Sequence, residues 1–72
     1  MNNIVRILDT IALTVDLSEH GLFRGQVGTV VETLGENTFE VEFVDNNGHT
    51  YATLPLHSNQ FLILHHDPVK AI

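Results

Sequence analysis

The sequence has no cysteine and no tryptophan, a single tyrosine, two prolines and three basic residues. Without thiols there can be no disulfide staple, no thiolate metal site and no cysteine nucleophile, and that absence fits a reducing, cytoplasmic setting. The shortage of cations removes a second group of functions. Arg6, Arg24 and Lys70 stand against nine carboxylates, for a formal net charge of −6. Nucleic-acid binding relies on clustered Lys and Arg to release counterions from phosphate, and docking on anionic lipid needs the same cluster. Neither is served here, so no nucleic-acid and no membrane partner is expected. No run is long and apolar enough for a signal peptide or a membrane span, and a cytoplasmic location is the expectation.

What remains is one small domain. At 72 residues folding buries only about 60% of the unfolded surface, so the core is thin. The hydrophobic content of 43% supplies one such core, with self-association as the natural supplement. The two-sided apolar segment FLIL at 61–64 and the N-terminal IVRIL segment are the surfaces best suited to a homo-oligomer.

Hydrophobic patterning along the chain is that of strands. LDTIALTV at 8–15 alternates Ile11, Leu13 and Val15. A long polar loop, DLSEHGLFRG, follows. QVGTVVETL at 26–34 forms a second strand, and the odd spacing of Val27 and Val30 suggests a bulge at Gly28 that turns both to one side. TFEVEFV gives the clearest signal, with Phe39, Val41 and Phe43 on one face and Glu40 and Glu42 on the other, as for a strand between core and water. DNNG at 45–48 is a hairpin turn in which Gly48 takes positive φ and Asp45 caps its own backbone. HTYATLPL makes a fourth strand with Ala52, Leu54 and Leu56 inward, and Pro55 belongs at its end because it cannot donate to a ladder. HSNQ reads as one helical turn and FLIL as a short last strand. Residues 1–7 form an N-terminal extension, either strand or helical turn, and 65–72 a flexible C-terminal tail.

Within GLFRGQVGTVVE a phosphate-binding loop would need a preceding strand, a longer glycine-rich turn, a Lys and a following helix. A β-branched run follows instead, so the glycines mark a loop end and a strand irregularity. Five short strands, a long first loop, two tight hairpins and a helical turn before the last strand are the chain order of an SH3-like, partly open barrel over residues 8–64; periodicity alone specifies a small, partly closed antiparallel all-β domain.

The run LDTIALTVDLSEHGLFRGQVGTVVE, followed by FEVEFVDNNGHTYATLPL, resembles a family of short bacterial proteins of unknown function, frequent in cyanobacteria. The resemblance covers residues 8–64. It implies an SH3-like barrel and a cytoplasmic bacterial origin, and it carries no catalytic residues. The segment GQVGTVVE is also similar to the KOW-type segment of ribosome- and transcription-associated barrels. The basic loop residues those barrels use are missing here.

Candidate site residues are few. Glu40 and Glu42 share a strand face, and Glu32 neighbours them if the second strand pairs with the third. A hard-cation site wants more convergent oxygens in a loop, and paired-carboxylate catalysis wants one acid buried; a solvated face or a patch for a basic partner needs neither. Asp16, Glu19 and Phe23 lie in the first long loop, a common place for recognition on a rigid barrel. In SH3 domains proper that loop carries acids that meet an Arg of a proline-rich ligand, but the groove beside it is aromatic and includes a Trp. With Tyr51 and four Phe, proline-peptide recognition is disfavoured. Five histidines, His20, His49, His57, His65 and His66, show no metal-ligand spacing, and the adjacent His65 and His66 point opposite ways in extended chain. Ser18 and Ser58 are lone turn hydroxyls suited to capping.

The sequence therefore describes a non-enzymatic, acidic protein-binding module with no cofactor. Its contacts would be Asp16, Glu19, Glu32, Glu40 and Glu42 by charge, and Phe23 and Tyr51 by apolar contact. Its partner would be a protein with a basic surface, as in the antitoxin or immunity half of a bacterial pair. The alternatives are a histidine-dependent metal- or small-ligand-binding enzyme fragment and KOW-like nucleic-acid binding.

Overall fold

A computed structural model describes residues 4–68. Five strands, β1 (Thr10–Leu13), β2 (Val27–Thr33), β3 (Thr38–Val44), β4 (Thr50–His57) and β5 (Phe61–Leu64), form one open antiparallel sheet in the order β4-β3-β2-β1-β5. Helical structure among the described residues is confined to two 3-10 turns, Ser18–His20 in the first loop and Ser58–Gln60 immediately before β5. The all-β architecture with a helical turn ahead of the last strand is as the sequence indicates.

The sheet coils around a core of Ile11, Leu13, Leu22, Val30, Phe39, Val41, Phe43, Leu54, Leu56 and Phe61. β3 contributes the alternation most directly: Phe39, Val41 and Phe43 are buried, and Glu40 and Glu42 between them are half-buried. Phe39 meets Phe61 edge-to-face with ring centroids 6.2 Å apart, so β3 and β5 touch through side chains although two strands lie between them in the sheet. That contact makes the open sheet barrel-like.

Three local expectations need correction. In β2 Gly28 and Val30 face inward while Val27 is 48% exposed, so Val27 and Val30 do not share a side. The register shift lies between Val30 and Glu32, making Val31 the extra residue. Gly28 has another duty: a Cβ there would lie 2.7 Å from Val41 Cγ1 and 3.0 Å from both the Glu42 carbonyl oxygen and Phe43 Cδ2. Secondly, the first strand is shorter than 8–15. Leu8 still donates its N–H to the Val30 carbonyl at 2.7 Å, but it sits in a turn with φ of 77°. In that turn the Asp9 carboxylate accepts from the Arg6 N–H at 2.8 Å, and Val15 is half-buried beyond the strand end.

Thirdly, Pro55 sits inside β4. The Ser58 N–H donates to the Asn37 carbonyl, and Phe39–Leu56, Val41–Leu54 and Phe43–Ala52 continue the same register. Alternation then makes these the bonded pairs and turns the Pro55 nitrogen away from β3. β4 is an edge strand, and at that edge a missing N–H removes no ladder bond.

The N-terminal extension lies in part outside the described residues; its described portion is irregular chain and a turn at Ile7 and Leu8. Val5 packs against the core. Of the tail, residues 65–68 are exposed and lack regular structure, and 69–72 lie outside the described residues.

Candidate functional site

The bulge at Val31 decides where one acidic side chain goes. Strict alternation from Gly28 and Val30 would send residue 32 inward. The extra residue reverses the phase, and Glu32 emerges on the outer face directly opposite Glu40. Glu42 lies two residues along the same face of β3, opposite Thr29 on one side and Thr53 on the other. Three carboxylates thus share the outer surface of β2 and β3, with Pro55 beside Glu40 on β4. Among the described residues their neighbours supply hydroxyls and no paired cation. The Thr50 hydroxyl donates to Glu42 Oε2 at 2.8 Å. Among the described residues the one acid–base pair within 4.0 Å is elsewhere, between His49 Nδ1 and Asp45 Oδ2 at 3.9 Å in the β3–β4 turn.

The long loop between β1 and β2 is tied down by its own polar groups. Leu17 and Leu22 form a backbone bridge that spans the first 3-10 turn. Leu22 is fully buried, pinning the loop to the core. Asp16 Oδ1 accepts the Arg24 N–H at 2.9 Å. Gln26 bridges two aromatics: its Oε1 accepts the Phe23 N–H and its Nε2 donates to the Tyr51 hydroxyl at 3.0 Å. Phe23 and Tyr51 remain 49% and 47% exposed, and Tyr51 leans on the buried Phe43 ring at a centroid distance of 6.3 Å.

The structure therefore sorts the candidate residues into two groups and a remainder. Glu32, Glu40 and Glu42 come together on the outer sheet face. Gln26 ties the Phe23 main chain to the Tyr51 hydroxyl at the loop end. Thr50, bonded to Glu42, precedes Tyr51 in β4, but Tyr51 leans on the buried Phe43 ring, so it sits toward the inner side of the sheet and not on the carboxylate face. Asp16 is occupied in holding the loop, and Glu19 stands exposed in the 3-10 turn. Gln26 and Thr50 escaped sequence reasoning: a glutamine and a threonine at strand ends carry no signal until the partners 25 and 8 residues distant are known.

The five histidines are all exposed. Among the described residues no three of His, Cys, Asp and Glu are placed to hold a metal ion, and no helix is long and apolar enough to cross a membrane. Two shallow cavities flank Val5. One of about 330 Å³ is lined by Val5, Ser58, Phe61, Leu62, Ile63 and His65; another of about 410 Å³ lies between Val5, Ser58 and the β2–β3 turn. Neither reaches the carboxylate face or the aromatic pair.

Fold and surface define a small acidic all-β domain, barrel-like, with a carboxylate-bearing sheet face and two half-exposed aromatics, Phe23 and Tyr51. The chain belongs to the family described as Domain of unknown function (DUF4926), whose model matches residues 7–63. This agrees with the resemblance drawn from LDTIALTV, GLFRGQVGTVVE and FEVEFVDNNGHT as far as membership of a family of unknown function. Among curated proteins and among solved structures, nothing matches the chain.

Proposed function

We propose that this protein is a non-enzymatic binding module whose outer β2–β3 face receives a basic surface of a partner protein. One observation carries the proposal: Glu32 is set directly across from Glu40, next to Glu42, by a bulge that takes it out of the inward phase. Like charges directly opposite in an antiparallel pair are destabilising, so folding does not explain the arrangement. A cationic partner would relieve it. Phe23 and Tyr51, tied to Gln26 and half-exposed, would add apolar contact to a partner that reaches past the carboxylate face to the first loop. Rim charges would govern the association rate and its salt dependence.

The sheet order and the 3-10 turn before β5 support an SH3-like barrel as the scaffold. In a cytoplasmic bacterial setting, a carboxylate-rich module of this size suits the neutralising half of a two-protein pair, antitoxin or immunity protein. Neither a histidine-dependent enzyme nor a KOW-like nucleic-acid contact gains a supporting observation from the geometry described above.

The test is affinity capture from a bacterial lysate at low salt, with immobilised wild type beside the E40K/E42K variant. A specific protein held by the wild type, eluted by salt and absent from the variant supports the reading. Equal capture by both, or capture by neither, contradicts it.

A further inference from the structure

The β3–β4 hairpin turns through Asp45, Asn46, Asn47 and Gly48. Asn47 is exposed. Its main-chain N–H donates to Asp45 Oδ1 at 2.8 Å, and among the described residues its carboxamide has no hydrogen-bond partner. Gly48 follows at φ of 83°, and nothing lies within 4 Å of where a Cβ would be. Neither a side chain nor a neighbour crowds that flank of the main-chain nitrogen next to Asn47. Every other asparagine in the chain is followed by a residue that has a side chain.

A free carboxamide beside an uncrowded amide nitrogen is placed for succinimide closure. The Gly48 nitrogen bonds to Asn47 Cγ, the Cγ–Nδ2 bond breaks, and Nδ2 leaves as ammonia with the proton that the amide gives up. Water then opens the ring at either carbonyl. Addition at Cγ breaks its bond to the Gly48 nitrogen and gives aspartate. Addition at the Asn47 main-chain carbonyl breaks the other carbon–nitrogen bond and leaves the chain running through Cβ and Cγ, as isoaspartate. Water is the one co-reactant, and nothing is oxidised or reduced.

The same turn holds a brake. The Gly48 N–H donates to the Asp45 carbonyl at 3.0 Å, so the attacking nitrogen is occupied while the turn is closed. Asp45 Oδ1 accepts the Asn47 and His49 N–H groups at 2.8 and 3.0 Å, and hydrogen bonds to a carboxylate are the stronger kind. Ring closure waits for this turn to open, and opening an exposed loop costs far less than unfolding the sheet.

We propose that Asn47 is a site of spontaneous covalent modification, converted through a succinimide to isoaspartate and aspartate, with Asp45 as the clamp that sets the rate. The product carries a formal charge of −6 − 1 = −7, with the new carboxylate two residues from Asp45. Isoaspartate also lengthens the main chain by one carbon in the turn that joins β3 to β4. None of this depends on whether the outer sheet face binds a partner.

The test holds the full chain at neutral pH and body temperature for several days. Peptide mapping by mass spectrometry, with fragmentation that separates isoaspartate from aspartate, then reads each asparagine. Wild type should lose Asn47 steadily and gain both products, isoaspartate the more abundant, while Asn37, Asn46 and Asn59 stay intact. D45A and D45S loosen the clamp, the serine keeping a weaker acceptor. Both should convert faster than wild type, D45A the faster of the two. Circular dichroism should show the sheet unchanged, and Gly48 amide exchange should quicken. An Asn47 that survives as long as Asn37 and Asn59, or that yields aspartate without isoaspartate, overturns the modification site. A D45A protein that keeps its sheet and converts no faster than wild type overturns the clamp; if D45A loses its sheet, D45S decides the same point.

Discussion

Individual residues carry more of this structure than their types suggest. Leu8 is a branched, 75% exposed side chain at φ of 77°, a conformation costing an L-residue about 1–2 kcal/mol. Glycine is at ease there, and little buried surface is lost by cutting the side chain away. Leu8→Gly should therefore stabilise the protein by roughly 0.5–1 kcal/mol after the flexibility glycine adds to the unfolded chain, read as a higher urea midpoint; an unchanged or lower midpoint would refute the strain argument. Gly28 is the opposite case. Its missing side chain is what lets Val41 and Phe43 approach, and in a core this small they have little room to give. Gly28→Ala should destabilise by about 1–3 kcal/mol, the usual scale of overpacking, measured by the same denaturation. The glycine stood out in the sequence between two valines, but its reason lay in β3 and was invisible there.

At the scale of elements, legibility followed local periodicity. β3 could be read outright, because FEVEFV alternates without exception and each phenylalanine went where alternation placed it. The DNNG turn was equally plain: Gly48 has φ of 83° and Asp45 Oδ1 accepts the N–H groups of Asn47 and His49. β2 was harder. VGTVVET admits more than one phase, and only pairing with β3 fixes the bulge at Val31. Pro55 was misplaced for a related reason: a proline argues against an interior strand, and the sequence does not say which strand is the edge. The candidate site divides in the same way. Glu40 and Glu42 on one face were legible from spacing; the opposition of Glu32 and Glu40 depends on the bulge, and the Gln26 bridge between Phe23 and Tyr51 on tertiary contact. The cross-strand pair gives a prediction at this scale. Glu32→Lys replaces a repulsion with an attraction across β2 and β3 and should raise stability by about 0.2–1 kcal/mol, seen in thermal or urea unfolding. A loss of stability would show that Glu32 serves the fold and not a partner.

The whole molecule is a thin core under an acidic surface. Its colloidal behaviour is tied to pH, since the formal net charge of −6 at pH 7 falls to zero near the sequence isoelectric point of about 5.0. Repulsion between copies fades with that charge. Solubility should fall as pH drops from about 7.5 to about 5, measured by light scattering; a flat response would contradict it. Loss of repulsion should also favour association of copies.

The central claim is that the β2–β3 carboxylates exist for a cationic partner. The most direct measurement is the paired low-salt capture with wild type and E40K/E42K. The account predicts a protein that binds only the wild type and leaves it as salt rises. An E40K/E42K variant that retains the same proteins as the wild type, or a wild type that retains none, would contradict it.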